Sequence, residues 1–185
     1  MAVTSPRNRK YPRANFLDYS EGSFFVTICI KNKKHLLGEI KDGVMHYSSI
    51  GKYADKCISE IPGHNPDAEI LIHTVMPNHI HAIVRLVGLR NAVTASNMGR
   101  LNRIARIAEA TNMNVNEITH FNSRLAVVIG GMKAVVTRFA NKQGIKFAWQ
   151  SRFHEHYIRN PHEGDKIWNY IETNIENWDK DCFYR

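Results

Sequence analysis

Two histidines stand one residue apart in an apolar stretch, "MPNHIHAIV" (76–84). Successive side chains of a β-strand alternate between its two faces, so His79 and His81 would point to the same side. Two imidazoles placed in this way can chelate a divalent metal ion, whereas an apolar core has no use for two ring nitrogens that must be hydrogen-bonded. A His-x-His pair is a weak motif, and a surface pair or a hydrogen-bonded structural pair is an open alternative.

A tyrosine and an asparagine lie four residues apart near the end of the sequence. Tyr170 and Asn174 share the apolar face of a predicted helix, because residues four apart are neighbours on a helix surface. The amide oxygen of Asn174 suits a hard ion such as Mg²⁺ or Mn²⁺ beside two imidazoles. The phenolic oxygen of Tyr170 could then attack a phosphodiester and form a covalent phosphotyrosine. The alternative for Tyr170 is a packing role, which is the commoner one for a tyrosine in an apolar helix stripe.

A second tyrosine competes for the role of nucleophile. Tyr157 lies on a predicted strand, and no amide or carboxylate follows it at helical spacing. We therefore favour Tyr170 over Tyr157. Three polar side chains come just before Tyr157: His154, Glu155 and His156. They could assist as a base for the phenol or for the leaving oxygen, or they could be ordinary solvated or strand-pairing side chains.

The hydrophobic pattern predicts the elements that position these residues. They are a strand (23–30), a hairpin turning at Asp42–Gly43 (35–47), a helix capped by Ser48 or Ser49 and ended by Pro62–Gly63 (48–61), two strands (68–77 and 78–87), a second helix (123–144), a strand (145–160) and a terminal helix (163–178). Apart from the hairpin, the order is βαββαβ, which a four-stranded antiparallel sheet with two helices on one face satisfies. The expected fold is therefore α+β and ferredoxin-like, with the C-terminal helix carrying the nucleophile. This architecture hosts many activities, so the fold alone assigns none.

The chain is predicted to contain one domain and an arm. Its 185 residues are enough for a single core. Residues 1–21 form a basic arm interrupted by prolines, and residues 22–185 form the catalytic domain. We expect a polar insert at about 88–122, with at most one short helix at 100–110.

The charge favours a polyanionic partner such as nucleic acid. Lysine and arginine number 25 against 17 acidic residues, a formal net charge of +8. A basic protein without such a partner is the simpler alternative. Ten residues are candidates for phosphate contacts: Arg7, Arg9, Lys10 and Arg13 in the arm, Lys31, Lys33 and Lys34 after the first strand, and Arg100, Arg103 and Arg106 in the insert. Three aromatic residues could stack on unpaired bases, namely Tyr11, Phe16 and Trp149, of which Trp149 is more typical of a core.

The cysteines and the hydropathy indicate a compartment. Three cysteines at unrelated spacings predict neither a disulfide framework nor a zinc ribbon, which fits a reducing environment. The sequence has no stretch of 18 apolar residues, and its first 20 residues do not resemble a secretion signal. We expect a cytoplasmic protein that is neither exported nor embedded in a membrane.

The motifs resemble those of a known family. "MPNHIHAIV" resembles the histidine-hydrophobe-histidine motif of the HUH endonucleases, and "YIETN" resembles the terminal-helix motif of their single-tyrosine transposases. Three longer stretches (22–40, 130–160 and 167–178) are similar in particular to the transposases associated with repetitive extragenic palindromes, or REPs. The likeness runs in order over most of residues 22–178.

The resemblance implies an activity and a role for each site residue. His79 and His81 would bind the catalytic cation, Mg²⁺ or Mn²⁺, and Asn174 would occupy the position of the third ligand. Tyr170 would be the nucleophile. The family cuts single-stranded DNA beside imperfect hairpins, leaves a 5′-phosphotyrosine and a free 3′-hydroxyl, and uses no nucleotide cofactor. Its members are monomers or homodimers.

Two other classes of function remain open. In relatives the third ligand is often a glutamine, and Asn174 is one methylene shorter. This difference is the best support for a catalytically inactive module that binds single-stranded nucleic acid on the same fold. A zinc hydrolase could instead combine the histidine pair with His154 or His156, and Tyr170 would then only pack.

Overall fold

The computed structural model describes residues 22–87 and 124–184. The predicted arm and the whole of the predicted insert lie outside these described residues. So do the candidate DNA contacts Arg7, Arg9, Lys10, Arg13, Arg100, Arg103 and Arg106, the aromatic residues Tyr11 and Phe16, and the predicted short helix at 100–110.

The described residues form the following strands and helices, numbered in chain order. They are β1 (Gly22–Cys29), β2 (Gly38–Lys41), β3 (Val44–Tyr47), α1 (Ser49–Ser59), α2 (Ile61–His64), β4 (Ala68–Val75), β5 (His79–Leu86), α3 (Arg124–Lys142), β6 (His154–Tyr157) and α4 (Pro161–Glu172). Short 3₁₀ helices follow β1 at Lys31–Lys33 and follow α4 at Trp178–Lys180. None of the helices in the described residues is both long and apolar enough to cross a membrane.

Four strands form an antiparallel sheet in the order β4-β5-β1-β6. Strands β2 and β3 pair separately as the predicted hairpin, with Asp42 and Gly43 at positive φ in its turn. Without this hairpin and the short α2, the chain order is βαββαβ followed by α4. The predicted α+β, ferredoxin-like fold is confirmed.

The core lies on one face of this sheet. Alternate residues of β1 and β5 join helices α1 and α3 in a single buried cluster. Its members include Phe24, Val26, Ile28, Ala54, Ile58, Ile80, Ala82, Val84, Leu125 and Ile129. Burying one such aliphatic or aromatic side chain contributes roughly 1.5–3 kcal/mol, so this face holds the domain together. The other face of the same strands is left for the intervening residues and for α4.

Helix α1 begins where the sequence predicts a cap. Of the two predicted serines, Ser48 is the N-cap: its Oγ accepts a hydrogen bond from the backbone N–H of Gly51 at 3.0 Å. A Cβ added to Gly51 would lie 1.8 Å from the carbonyl oxygen of Leu37, so only glycine allows this close approach. The predicted end at Pro62–Gly63 is wrong. Helix α1 already ends at Ser59, and Pro62 lies in the first turn of α2, where its missing N–H has no cost.

The strand over 145–160, predicted to be partly paired, forms only in part. Only β6 forms, pairing with Phe24–Thr27 of β1. Farther upstream, Trp149 makes a single bridge to Ile30, and a bend at residues 151–152 separates this bridge from β6. The large apolar residues over 145–149 therefore pack against the core without forming a strand. Trp149 is 9% exposed, as expected for a core residue.

The terminal helix is shorter than the predicted 163–178. It begins after Asn160, whose Oδ1 accepts from the N–H of Glu163 at 2.9 Å, and it ends at Glu172. Thr173 and Asn177 hydrogen-bond their side chains to carbonyls one turn earlier. Such residues are poor helix formers because their side chains compete for backbone groups. Asn174 therefore lies just beyond α4 in a series of turns.

Candidate metal and tyrosine site

The two histidines lie side by side on the sheet face opposite the core. His79 and His81 are on β5, directly across from Cys29 and Thr27 of β1. Their ring centroids are 4.4 Å apart, and both side chains are buried. The pleat therefore places two imidazoles together, as the spacing predicts.

Hydrogen bonds hold both rings in one orientation. Nδ1 of His79 donates to Oδ1 of Asn78 at 2.8 Å, and Asn78 directs its own amide N–H groups to backbone carbonyls. Nδ1 of His81 lies 2.9 Å from the Thr27 hydroxyl. When Nδ1 carries the proton, Nε2 presents a lone pair, which is the usual arrangement of a metal-binding histidine.

Tyr170 reaches this pair from α4. Its hydroxyl lies 3.1 Å from Nε2 of His81 and donates a hydrogen bond to Oδ2 of Asp181 at 2.9 Å. The Phe25 ring stacks on His81 and contacts the Tyr170 ring edge-on. The Tyr170 side chain is 39% exposed, so one side of its ring faces solvent while its oxygen faces the imidazoles.

Asp181 is a site residue that sequence reasoning missed. Its Oδ2 lies 3.9 Å from Nε2 of His79 and 3.9 Å from Nε2 of His81. The ligand atoms of these three side chains all lie within 4.8 Å of one another. Within residues 22–87 and 124–184, they form the cluster of ligating side chains that could hold a metal ion. No spacing rule reaches Asp181, because the chain leaves the helix after Glu172 and folds back through turns.

Asn174 joins the same cluster. It is buried, and its Nδ2 donates to Oδ2 of Asp181 at 2.9 Å. Two buried acceptors of the site, Oδ1 of Asn174 and Nε2 of His79, have no hydrogen-bond partner in the described part of the chain. A buried acceptor without a partner costs about 1–3 kcal/mol, and a cation would use such lone pairs. As metal ligands, two imidazole nitrogens, a carboxylate oxygen and an amide oxygen together fit a divalent ion such as Mn²⁺ or Mg²⁺.

The protonation states also fit a cation. Burial and the neighbouring His81 lower the pKa of His79 to about 3, and burial lowers the pKa of His81 as well. Burial alone would raise the pKa of Asp181, but hydrogen bonds and its contact with His81 outweigh burial and hold that pKa well below its usual range. At neutral pH the site therefore combines neutral imidazoles with an ionised carboxylate. Burial and the bond to Asp181 raise the pKa of Tyr170, which keeps the phenol protonated.

The other predicted catalytic candidates lie outside this cluster. His154 and His156 are exposed on the same sheet face, and Nε2 of His156 lies 2.7 Å from a carboxylate oxygen of Glu163. Glu155 pairs with Val26 and points to the core side. Tyr157 packs edge-on against Phe24 on that side, with ring centroids 5.4 Å apart.

One of the three lysines that follow β1 lies beside the site. Lys31 and Lys34 are exposed. Lys33 donates to the carbonyl oxygen of Cys182 at 3.3 Å, and its ammonium lies 4.9 Å from the centre of the Phe183 ring. Phe183 in turn contacts His79, with ring centroids 4.6 Å apart. Positive charge is thus placed next to the residues that surround the histidines.

Comparison with solved structures agrees with this α+β fold. A REP-associated tyrosine transposase, solved bound to a REP hairpin, matches with a TM-score of 0.50 and 21% identity, over 90% of this chain and 73% of that one. The chain therefore has the fold of a REP-associated tyrosine transposase, as the motif resemblance predicts. A putative transposase from Deinococcus radiodurans R1 matches over 92% of this chain and 97% of that one, at 12% identity and a TM-score of 0.39, too low to establish a common fold.

Comparison of sequences places the chain in a family. No family model matches it. A Haemophilus influenzae protein described as "Uncharacterized protein" is 30% identical over 179 residues, which is 96% of this chain and 93% of that protein. The chain belongs to the family of this Haemophilus influenzae protein.

Proposed function

We propose that this chain is a metal-dependent endonuclease and strand transferase of the HUH type, which acts on single-stranded DNA through Tyr170. The observation that carries the proposal is the position of the Tyr170 hydroxyl, 3.1 Å from Nε2 of His81. A tyrosine that served only for packing would have no need of a buried histidine pair and a carboxylate around its oxygen.

The metal would be held by His79 and His81 through Nε2, with oxygen ligands from Asp181 and Asn174. The ligand atoms of His79, His81 and Asp181 lie within 4.8 Å of one another, and Oδ1 of Asn174 is a buried acceptor without a hydrogen-bond partner in the described part of the chain. A divalent ion bound there supplies positive charge that polarises a phosphodiester and offsets the charge of its transition state. The donor set favours Mn²⁺ or Mg²⁺, because two of its members are oxygens.

The covalent step is a transesterification at phosphorus. The phenolic oxygen of Tyr170 forms a bond to phosphorus while the bond from phosphorus to the 3′-oxygen breaks. The 3′-oxygen leaves with the electron pair and takes up a proton, which yields a free 3′-hydroxyl and a 5′-phosphotyrosine. The nearest acceptor for the phenolic proton is Oδ2 of Asp181, at 2.9 Å. Because one phosphoester replaces another, rejoining needs no nucleotide cofactor.

His154 and His156 are the proposed assisting groups for the leaving oxygen. Both are exposed on the sheet face that carries the histidine pair, so a bound strand could reach them. Glu155 is a poorer candidate than its neighbours, since its strand position turns it to the other side.

The proposed partner is single-stranded DNA that carries a palindromic hairpin. The net charge of +8 and the position of Lys33 beside the site support a polyanion. A structural neighbour of the same fold was solved with a REP hairpin. We also propose that the basic residues of the arm and the insert add phosphate contacts, and that the protein works in the cytoplasm.

A second candidate is a zinc hydrolase that does not use DNA. The observation that favours it is the composition of the cluster, since two histidines and one carboxylate are a common zinc ligand set. Neither His154 nor His156 belongs to that set, so its third ligand would be Asp181.

Formation of a protein–DNA adduct tests the proposal. Wild-type protein is incubated with Mn²⁺ or Mg²⁺ and a labelled single-stranded oligonucleotide that carries a palindromic hairpin from beside the gene. We expect an adduct that survives denaturing electrophoresis, its loss in Tyr170→Phe and its retention in the matched control Tyr157→Phe. Binding without an adduct in either metal would replace the proposal with the inactive binding module. Hydrolysis that needs zinc and no DNA would favour the second candidate.

A further inference from the structure

A pocket of about 440 Å³ opens at the start of α4. Its walls come from β1, β4, β5, β6, α4 and the segment that joins β6 to α4. Ser23 and Ile83 of the sheet line it together with Trp168, Arg159 and Asp165. This volume is within the range of pockets that hold small ligands.

The pocket adjoins the proposed catalytic site. Ile83 follows His81 by two positions on β5, so both side chains lie on the same face, about 6.6 Å apart along the strand. Trp168 and Tyr170 both lie on α4, but side chains two positions apart on a helix do not share a face, so Trp168 lines the pocket while Tyr170 faces the histidines. Phe25 lies across from Ile83 and stacks on His81, with ring centroids 5.2 Å apart. The sheet residues therefore place the pocket beside the histidine pair, on the same face of the sheet.

The chemistry of the lining suits a nucleobase. Trp168 is 39% exposed in the pocket, whereas the chain's other two tryptophans, Trp149 and Trp178, are 9% and 8% exposed. An accessible indole offers a flat surface for stacking. Arg159 is exposed beside it and can contact a phosphate, and the carboxylate of Asp165 can accept a hydrogen bond from a base edge.

We propose that this pocket holds one unpaired nucleobase of the DNA strand engaged at Tyr170, stacked on Trp168. The inference rests on the proposed function, since the strand at Tyr170 is what brings a base to the pocket. It assigns Trp168 and Arg159 to recognition of DNA next to the cleaved bond. Neither residue takes part in the bond-breaking step.

Collisional quenching of tryptophan fluorescence by acrylamide reports on Trp168, because the other two tryptophans are buried. The probe is the hairpin oligonucleotide with its single-stranded flank, bound without metal so that it is not cleaved. We expect bound DNA to shield Trp168 from acrylamide. A single abasic site at one flank position should remove the shielding, and abasic sites elsewhere in the flank should not.

Substitutions provide the second readout, the affinity for the same oligonucleotide. Trp168→Ala should weaken binding by at least about fivefold, since one stacked base contributes about 1 kcal/mol or more. Trp168→Phe keeps an aromatic face and should retain most of the affinity. The matched control is Val127→Ala, on α3 and outside the pocket, because Val127 is 40% exposed, much like Trp168. Its affinity should equal that of the wild type.

The outcomes separate this inference from the proposed function. If bound DNA leaves the quenching unchanged and Trp168→Ala binds like the wild type, the pocket assignment is overturned, even where the adduct on Tyr170 forms. If Trp168 is shielded and one flank position is required, the assignment stands, even where no adduct ever forms and the catalytic proposal fails.

Discussion

The hydroxyl of Tyr170 lies 3.1 Å from Nε2 of His81, although 89 positions separate the two residues in the chain. Strand β5 supplies the histidine from the sheet face that the core leaves uncovered, and α4 crosses that face to supply the tyrosine. The site thus depends on a fold in which one sheet face builds the core and the other carries the chemistry.

Removal of the carboxylate should weaken metal binding. We expect Asp181→Asn to lower the affinity for Mn²⁺ by at least about tenfold, because it removes the negative charge among the ligands while keeping the side-chain shape. His79→Ala should lower it further, since it removes a ligand atom. Titration of free Mn²⁺ by electron paramagnetic resonance measures both. His64→Ala, at an exposed histidine of α2 that does not belong to the cluster, is the control and should bind like the wild type. Unchanged affinity in Asp181→Asn would exclude Asp181 as a ligand.

The metal affinity should depend little on pH in the mildly acidic range. Burial lowers the pKa of His79 to about 3, so its imidazole stays neutral and ready to bind as the pH falls from 7.5 to 5.5. An imidazole with the ordinary pKa near 6.5 would be mostly protonated at pH 5.5 and would lose about tenfold in affinity. Isothermal titration with Mn²⁺ at several pH values measures the difference. A tenfold loss for each unit below pH 6.5 would show that the histidines are more accessible to water than in this structure.

Gly51 in α1 and Gly63 in α2 should respond differently to replacement by alanine. In Gly51→Ala the new Cβ would lie 1.8 Å from a backbone carbonyl oxygen of Leu37, so α1 must shift, at a cost of about 3 kcal/mol or more in the free energy of unfolding. Gly63 has no atom within 4 Å of an added Cβ. Gly63→Ala should be neutral or stabilise α2 by up to about 1 kcal/mol. Urea unfolding measures both, and equal stabilities would contradict the close packing of α1 on Leu37.

The sequence predicts most of this fold and part of its site. Periodicity locates three of the four sheet strands and both core helices, and it places β6 only within a longer stretch, whereas the Asp42–Gly43 turn locates the hairpin. Alternation along a strand is sufficient to place His79 beside His81. Helical spacing likewise brings Tyr170 near Asn174, although the helix ends at Glu172, because the turn that follows keeps the asparagine on the same side.

The parts that sequence reasoning missed depend on tertiary contacts. Asp181 lies beyond the last regular helix, and its position is set by hydrogen bonds to Tyr170, Asn174 and the N–H of Phe183. No local periodicity encodes such a turn. The apolar residues around Trp149 have the pattern of a strand, but β1 is already paired with β6 over Phe24–Thr27 and offers them only one bridge.

The most direct test of the central claim is to identify the tyrosine that carries DNA. Wild-type adduct formed with Mn²⁺ is digested with nuclease and trypsin, and the modified peptide is identified by mass spectrometry. Tryptic cleavage places Tyr170 in peptide 167–180 and Tyr157 in peptide 153–159, each as the single tyrosine. We predict a 5′-phosphonucleotide on peptide 167–180. A modification on peptide 153–159, or none on any tyrosine in protein that has cut its DNA, would contradict the assignment of Tyr170 as the nucleophile.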